Sequence, residues 1–365
     1  MQQSPSPLGQ PAHQSYPRNQ WYVAAFSREV GSGLLARTFL DVPVVLYRTP
    51  DGKAVALHDK CGHKGLPLSM GKLCGETVQC GYHGIEFGPS GACTKIPQQN
   101  FIPPSMRVRS FPLIEKWQWL WIWMGDPAKV DLALIPDHYW LGLEREGYTA
   151  VPTFLMDIDA NYQLLHDNLL DNTHISYMHA GLLDNGEVAG SSFSVEQKGQ
   201  IVKLTRETRD ITVNENAARY FRVQANRRYD RLHATETFAP SVNVGKNTYI
   251  DRADPNFRPV ELYGINALTP ATMRSTHMFN VLITSYGQQW SPEEIEATRQ
   301  INLQDKVALE AMQQRYDEFH DELEVSVRSD QAGMLCRRMI GALLQEEGAG
   351  NTQGADSRPV ERALG

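Results

Sequence analysis

The feature that most constrains this chain is the segment CGHKGLPLSMGKLCGETVQCGYHG, residues 61–84. It contains two mixed pairs of potential metal ligands, Cys61-x-His63 and, sixteen residues later, Cys80-x-x-His83. Zinc sites more often pair Cys with Cys and His with His. One Cys and one His from each of two short loops suit a two-iron, two-sulfide cluster, in which both thiolates bind one iron and both imidazoles bind the other. A zinc site is the less favoured alternative.

The residues around these loops predict the fold of the first part of the chain. From Trp21 to about Asp126, short β-rich segments are separated by Gly, Pro and Asp turns, which indicates a small all-β domain. Further on, a helical stretch near 160–180 is followed by several strand-like segments and by a long helix. Ser291 is a good N-cap for that helix, and Pro292 suits its first position. The predicted fold class is therefore α+β, with helices packed on an antiparallel sheet in the second domain.

The ends of the chain are rich in Gln, Pro, Ser and Gly, a composition typical of mobile tails. The predicted organisation is a tail over 1–17, an all-β domain over 18–127, a second domain over 128–346 and a tail over 347–365.

Composition narrows the function further. The net charge is −7 and no dense run of Lys or Arg occurs, which argues against a nucleic-acid surface. The apolar runs are too short to span a bilayer, and the N-terminus resembles no export signal. We therefore expect a cytoplasmic protein without a membrane or nucleic-acid partner.

A second group of candidate ligands lies in NLLDNTHISYMHAG, which contains Asn168, Asp171, His174 and His179. On a regular helix the first three would share one face, and Asp171 could orient the ring of His174. Five residues separate the two histidines, so a regular helix would not bring both rings together. We predict a distortion or a helix end between them. His166 is a competing ligand candidate.

Asp305 on the long helix is the candidate third ligand. Residues three or four positions apart form an inward-facing stripe around it, and an unpaired carboxylate there would be costly. Two histidines and one carboxylate form the facial triad of non-haem Fe(II) oxygenases. The stripe consists of Ile295, Thr298, Asn302, Leu309 and Met312.

These motifs together resemble the Rieske non-haem iron oxygenases. The CGH and CGYHG pairs are similar to the cluster motif of that family, and KIPQQN at 95–100 resembles its cluster-covering loop. DNLLDNTHISYMHA and LQDKVALEAMQQ are similar to the iron motif and the third-ligand helix of the vanillate and dicamba O-demethylases. The resemblance implies a Rieske domain followed by a helix-grip-like catalytic domain. It also implies a [2Fe–2S] cluster on Cys61, His63, Cys80 and His83, and a mononuclear iron on His174, His179 and Asp305.

The resemblance implies a multicomponent monooxygenase of aromatic catabolism. Electrons from NAD(P)H would arrive through a separate reductase or ferredoxin, and O₂ would be the co-substrate. Head-to-tail homotrimers would place the cluster of one subunit near the iron of the next, with Asp171 bridging them and Asn168 near the iron. The expected reaction is oxidative O- or N-dealkylation of a small aromatic compound. The alternative is ring or alkyl hydroxylation, or dioxygenation, of an aromatic or polycyclic substrate.

Two other classes of function compete with an oxygenase. A plain electron carrier would need only the first domain, and a zinc-stabilised binding protein would need no second metal site. The histidine pair and Asp305 favour the oxygenase over both. His233, His277, Asn243 and Asn280 lie in strand-like segments and could face a substrate pocket, although packing or surface roles are the more common fate of such residues.

Overall fold

The computed structural model describes residues 16–137, 143, 145–285, 289–318 and 325–353. Most of both predicted tails lies outside these residues. Within them, no helix combines the length and the apolar content needed to cross a membrane.

The first part of the chain consists of short antiparallel strands in three small sheets, as the sequence predicts. Strand β1 pairs with β10, which pairs with β9, and a second sheet has the order β2-β3-β4. The third sheet, β5-β6-β7-β8, carries the two Cys/His loops on either side of its first strand pair. The strands are β1 Trp21–Phe26, β2 Leu35–Phe39, β3 Val42–Arg48, β4 Ala54–His58, β5 Lys72–Cys74, β6 Thr77–Gln79, β7 Glu86–Phe87, β8 Cys93–Lys95, β9 Leu113–Lys116 and β10 Trp119–Trp123.

The second part is one seven-stranded antiparallel sheet with helices packed on it. The strand order is β11-β17-β16-β15-β14-β13-β12. Its strands are β11 Tyr148–Ile158, β12 Phe193–Lys198, β13 Ile201–Thr212, β14 Arg228–Phe238, β15 Val242–Ile250, β16 Val260–Thr272 and β17 Ser275–Ser285. The helices are α1 Tyr162–Leu170, α2 Ile175–Met178, α3 Glu187–Gly190, α4 Glu215–Phe221, α5 Pro292–Glu318 and α6 Gln331–Gln353. The α+β class is therefore confirmed.

The long helix α5 begins where the sequence predicts. Ser291 Oγ accepts the backbone N–H of Glu294 at 3.2 Å, which satisfies one of the unpaired donors at the helix start. The inward stripe differs from the prediction at its last position, because Met312 is 41% exposed and Gln313 is buried in its place. Gln313 follows Leu309 by four residues, and its side-chain oxygen accepts the backbone N–H of Asn161.

Both ends of the described chain are more ordered than predicted. Tyr16, assigned to the first tail, is buried and donates a hydrogen bond to Asp41. Helix α6 continues to Gln353, into the segment assigned to the second tail. The carboxylate of Glu347 accepts the backbone N–H groups of Arg18 and Asn19, so the two ends hold each other in place.

The two parts are joined by buried hydrogen bonds and a shared core. Thr269 Oγ1 donates to the carbonyl of Val23 at 2.7 Å, and Ser241 Oγ donates to that of Trp21 at 3.1 Å. One hydrophobic cluster includes Tyr22 of β1 and Ile340 of α6. Strand β1 is therefore buried between the small sheets and the large one.

Candidate active site

The two Cys/His loops share one backbone geometry. Each cysteine N–H donates to the carbonyl five residues later, from Cys61 to Leu66 at 2.8 Å and from Cys80 to Ile85 at 2.8 Å. The glycine four residues after each cysteine returns an N–H to the cysteine carbonyl and has a positive φ, 80° at Gly65 and 68° at Gly84. Such turns favour glycine, because it adopts positive φ without a steric penalty.

The four predicted cluster ligands divide into a buried pair and an exposed pair. Cys61 and Cys80 are buried and their thiols are within hydrogen-bonding contact, while His63 and His83 are exposed with their Nδ1 atoms 3.2 Å apart. Burial raises the pKa of the Cys61 thiol, and the backbone N–H groups of His63 and Lys64 lower it. Thiolate ligands toward the protein and imidazole ligands toward solvent fit a two-iron cluster.

A single zinc ion fits this arrangement less well. Tetrahedral zinc needs four donors around one point. Among the described residues, the group of three or more donors placed to hold one metal ion is a different one.

That other group is His174, His179 and Asp305, whose donor atoms all lie within 4.8 Å of one another. Asp305 Oδ1 is 3.2 Å from His179 Nε2 and 3.6 Å from His174 Nε2. The predicted triad is thus brought together from positions more than a hundred residues apart. Two neutral imidazoles and one carboxylate suit a divalent iron, with positions left for other ligands.

The helix is interrupted on both sides of His174, which allows His174 and His179 to approach Asp305 together. Helix α1 ends at Leu170, Asp171 is extended with φ −106° and ψ 97°, and a 3₁₀ turn spans Asn172–His174. Helix α2 then ends at Met178, between the two histidines, as predicted. The expected shared helical face of Asn168, Asp171 and His174 is wrong, because the chain leaves the helix at Asp171.

Hydrogen bonds at Nδ1 direct the Nε2 atoms of both histidines to the same point. His174 Nδ1–H donates to the backbone carbonyl of Asp171, and His179 Nδ1–H donates to Gln304 Oε1 at 2.7 Å. Burial lowers the pKa of His174, which favours a neutral ring. Burial would also lower the pKa of His179, but the hydrogen bond and charge of Asp305 outweigh it and raise that pKa.

The other residues predicted near the iron, Asn168, Asp171 and His166, each make different contacts. Asn168 Nδ2 donates to Asp305 Oδ1 at 3.2 Å. The Asp171 carboxylate caps the next turn by accepting the N–H of Thr173 at 2.8 Å, and the acceptor for the His174 ring is the backbone carbonyl of Asp171. His166 is directed away from the triad, because its Nε2–H donates to the carbonyl of Pro240 at 2.8 Å. It is therefore not a ligand candidate in this fold.

A cavity opens beside the triad, with an empty volume of about 810 Å³ including its mouth. Helices α1 and α5 form one side and strands β14 to β17 form the other. Asn243, Asn280 and His233 line it, whereas His277 is at the junction of the two parts, where its Nε2–H donates to the carbonyl of Thr38.

Two titratable side chains in the cavity wall, Arg231 and His233, are buried, and their surroundings fix the position of the first and the charge of the second. Arg231 is 2% exposed, donates twice to Asn247 Oδ1 and lies 3.8 Å from the Asp184 carboxylate. Burial and the nearby arginines lower the pKa of His233 well below its ordinary value, so its ring is neutral. Sequence reasoning missed Arg231 because neither its burial nor its partners follow from the local pattern.

Comparison with known proteins assigns each of the two parts of the chain to a family. The Rieske [2Fe-2S] domain family matches residues 20–112, and the vanillate O-demethylase oxygenase C-terminal domain family matches residues 158–346. The dicamba O-demethylase oxygenase component of Stenotrophomonas maltophilia is 33% identical over 352 residues, 92% of this chain and all of that protein. A crystal structure of dicamba monooxygenase bound to 3,6-dichlorosalicylic acid has a TM-score of 0.84 at 32% identity, and covers 92% of this chain and 100% of that one.

A putative toluene-4-sulfonate monooxygenase iron-sulfur subunit of Comamonas testosteroni is 45% identical over 184 residues. That match spans 49% of this chain and 51% of the relative.

The chain belongs to the Rieske non-haem iron oxygenases. Its second part is a catalytic domain of the vanillate O-demethylase type, so the protein is an oxidoreductase and the oxygenase component of a Rieske monooxygenase system. Its cofactors are a Rieske [2Fe–2S] cluster and a non-haem iron.

Gln304 is a positioning residue that the sequence alone does not single out. We expect Gln304→Leu to weaken iron binding by about 10- to 100-fold, because His179 loses the acceptor that fixes its ring. Iron retained after dialysis against a chelator measures the effect, with the cluster absorption as an internal reference. Gln300→Leu, at an exposed position on the same helix, is the matched control. Equal iron retention in both variants would show that the hydrogen bond has no such role.

Proposed function

We propose that this oxygenase removes an O- or N-alkyl group from a small aromatic substrate. Electrons would come from NAD(P)H through a separate reductase or ferredoxin. The observation that carries the proposal is the position of His174, His179 and Asp305 at the wall of a partly enclosed cavity. Related O-demethylase oxygenase components support the choice of dealkylation.

In this proposal His174, His179 and Asp305 hold the iron, and the four Cys/His side chains of the loops hold the cluster. When bound, the iron would supply O₂ activation: with two electrons from NAD(P)H and two protons, one oxygen atom would enter a C–H bond of the alkyl group and the other would leave as water. A hydroxylated methyl ether then loses formaldehyde and leaves a phenol. The chain itself orients both imidazoles through Asp171 and Gln304, and Asn168 holds one oxygen of Asp305.

Electron entry is assigned to the exposed edge of the cluster loops. The Tyr82 ring is 65% exposed and stacks on His83 with centroids 3.8 Å apart, so an aromatic surface leads directly to a predicted ligand. We propose that the reductase partner and a neighbouring subunit of a head-to-tail homotrimer use this face. The Asp171 carboxylate would then accept a hydrogen bond from His83 of the neighbouring subunit.

Formaldehyde release tests the proposed reaction. The protein, loaded with cluster and iron, is supplied with NADH, a Rieske-type reductase and a panel of aryl methyl ethers and N-methyl aromatic compounds. We expect formaldehyde and the corresponding phenol or amine in equal amounts. His174→Ala, with its cluster spectrum intact, should give none. Hydroxylated products that keep the alkyl group, without formaldehyde, would overturn dealkylation in favour of hydroxylation.

A further inference from the structure

Two glycines face each other in the middle of the large sheet, at the wall of the cavity. Gly245 of β15 pairs directly with Gly264 of β16. Both line the cavity, and both lie in strand interiors. Glycine in the interior of a strand lowers the stability of the folded protein by about 0.5–1 kcal/mol relative to alanine.

The usual structural reasons for glycine are missing at both positions. The register between β15 and β16 is continuous from Val242 to Tyr249, so there is no bulge between these strands. Neither glycine has a positive φ. An added Cβ at Gly264 would meet no atom of the described chain within 4 Å, and one at Gly245 would meet only the Gly264 carbonyl, at 3.8 Å. Close approach of a ligand is a reason for glycine in a strand that fits these observations.

Carboxamides follow the glycine pair along the same face of the sheet. Asn243, Asn266 and Asn280 form a row across β15, β16 and β17, two residues along from the glycines. Within this row Asn280 Nδ2 donates to Asn266 Oδ1 at 2.7 Å, and the Thr153 hydroxyl lies within hydrogen-bonding distance of both the backbone carbonyl and the Oδ1 atom of Asn280.

Because Asn266 Oδ1 accepts from Asn280, Asn266 Nδ2 is left as a donor without an acceptor among the described residues. Asn266 is 9% exposed and lines the cavity. A ligand in the cavity can therefore accept a hydrogen bond from this donor in place of water. The donor carries no charge.

We propose that Gly245 and Gly264 form a slot for the flat face of the substrate ring, and that Asn266 Nδ2 donates to an uncharged acceptor on that ring. The substrate class is a planar aromatic alkyl ether or alkylamine with a carbonyl, amide or ring-nitrogen acceptor. This inference rests on the proposed function in one respect, since it takes the cavity beside the triad as the substrate site.

Binding of flat and non-flat probes to the loaded protein tests the slot. The probes are 4-methoxybenzamide and its saturated analogue trans-4-methoxycyclohexanecarboxamide, measured by calorimetry without reductant. We expect the flat probe to bind at least about tenfold more tightly, and Gly264→Ala to weaken it by about tenfold, because one methyl group would occupy the slot. Gly341→Ala, which also meets no neighbour but lies on α6 outside the cavity, should leave binding unchanged.

The donor is tested with Asn266→Ala and a third probe, 4-methoxytoluene, which has no amide acceptor. We expect the variant to lose about tenfold in affinity for 4-methoxybenzamide and little for 4-methoxytoluene. Equal affinity of wild type for the flat and saturated probes, no binding of the flat probe, or affinities within twofold between wild type and Gly264→Ala would each overturn the slot.

Formaldehyde assays on the same samples separate this inference from the proposed function. Turnover of a methyl ether with no sensitivity to the Gly264 substitution would keep dealkylation and reject the slot. Selective binding of the flat probe without formaldehyde would keep the slot and reject dealkylation.

Discussion

Asp305→Ala is expected to abolish turnover, by about 10³-fold or more, while the iron–sulfur absorption stays unchanged. Loss of a residue that only orients a ligand costs about 10- to 100-fold, and Asp305 is the carboxylate toward which both histidine Nε2 atoms point. Iron analysis should show loss of the mononuclear iron with retention of the cluster iron and sulfide.

A matched control for Asp305 lies on the same helix. Glu296 is exposed and bonded to Arg299 and Gln300, so Glu296→Ala should keep both iron and activity. Normal iron content and turnover in Asp305→Ala would show that the third ligand is another group.

Asp171→Asn is expected to lower steady-state turnover by about 100-fold with the cluster, the iron and the fold intact. The amide oxygen can still cap the N–H of Thr173, but the negative charge that would bridge to the neighbouring His83 is lost. Single-turnover experiments should place the loss in electron transfer from the reduced cluster to the iron.

Asp131→Asn provides a capping control for this change. Asp131 caps a 3₁₀ turn by accepting the N–H of Ala133 at 2.9 Å, which is the same geometry as at Asp171. We expect full activity from it. If Asp171→Asn loses iron or melts earlier in proportion to its lost activity, Asp171 acts on structure and not on electron transfer.

The side chains that the structure brings together were predictable from the sequence, because most of each group is encoded by short-range spacing. The two Cys/His loops need only a few residues each, and the helical stripe identifies Asp305 as inward-facing. Prediction from the sequence failed where the answer depends on tertiary packing. The choice of Gln313 over Met312 follows from a contact with the distant Asn161, and the local spacing does not show that the backbone leaves the helix at Asp171.

The glycine slot is another feature that local sequence does not predict. Gly245 and Gly264 are unremarkable in the sequence, and their meaning depends on the register between β15 and β16. A shift of one residue would send both to the opposite face of the sheet. Register across strands depends on the whole sheet, so a single sequence does not reveal such a pair.

The buried junction between the two parts constrains how electrons can reach the iron. Backbone bonds from Leu40 and Asp41 to the carbonyls of Pro270 and Ala271, both 2.9 Å, add to those that hold β1. These buried bonds resist a hinge motion that would carry the cluster toward the iron of its own chain. In the proposed trimer, the spacing between the electron donor of one subunit and the acceptor of the next would be set by folding and assembly and not by domain motion.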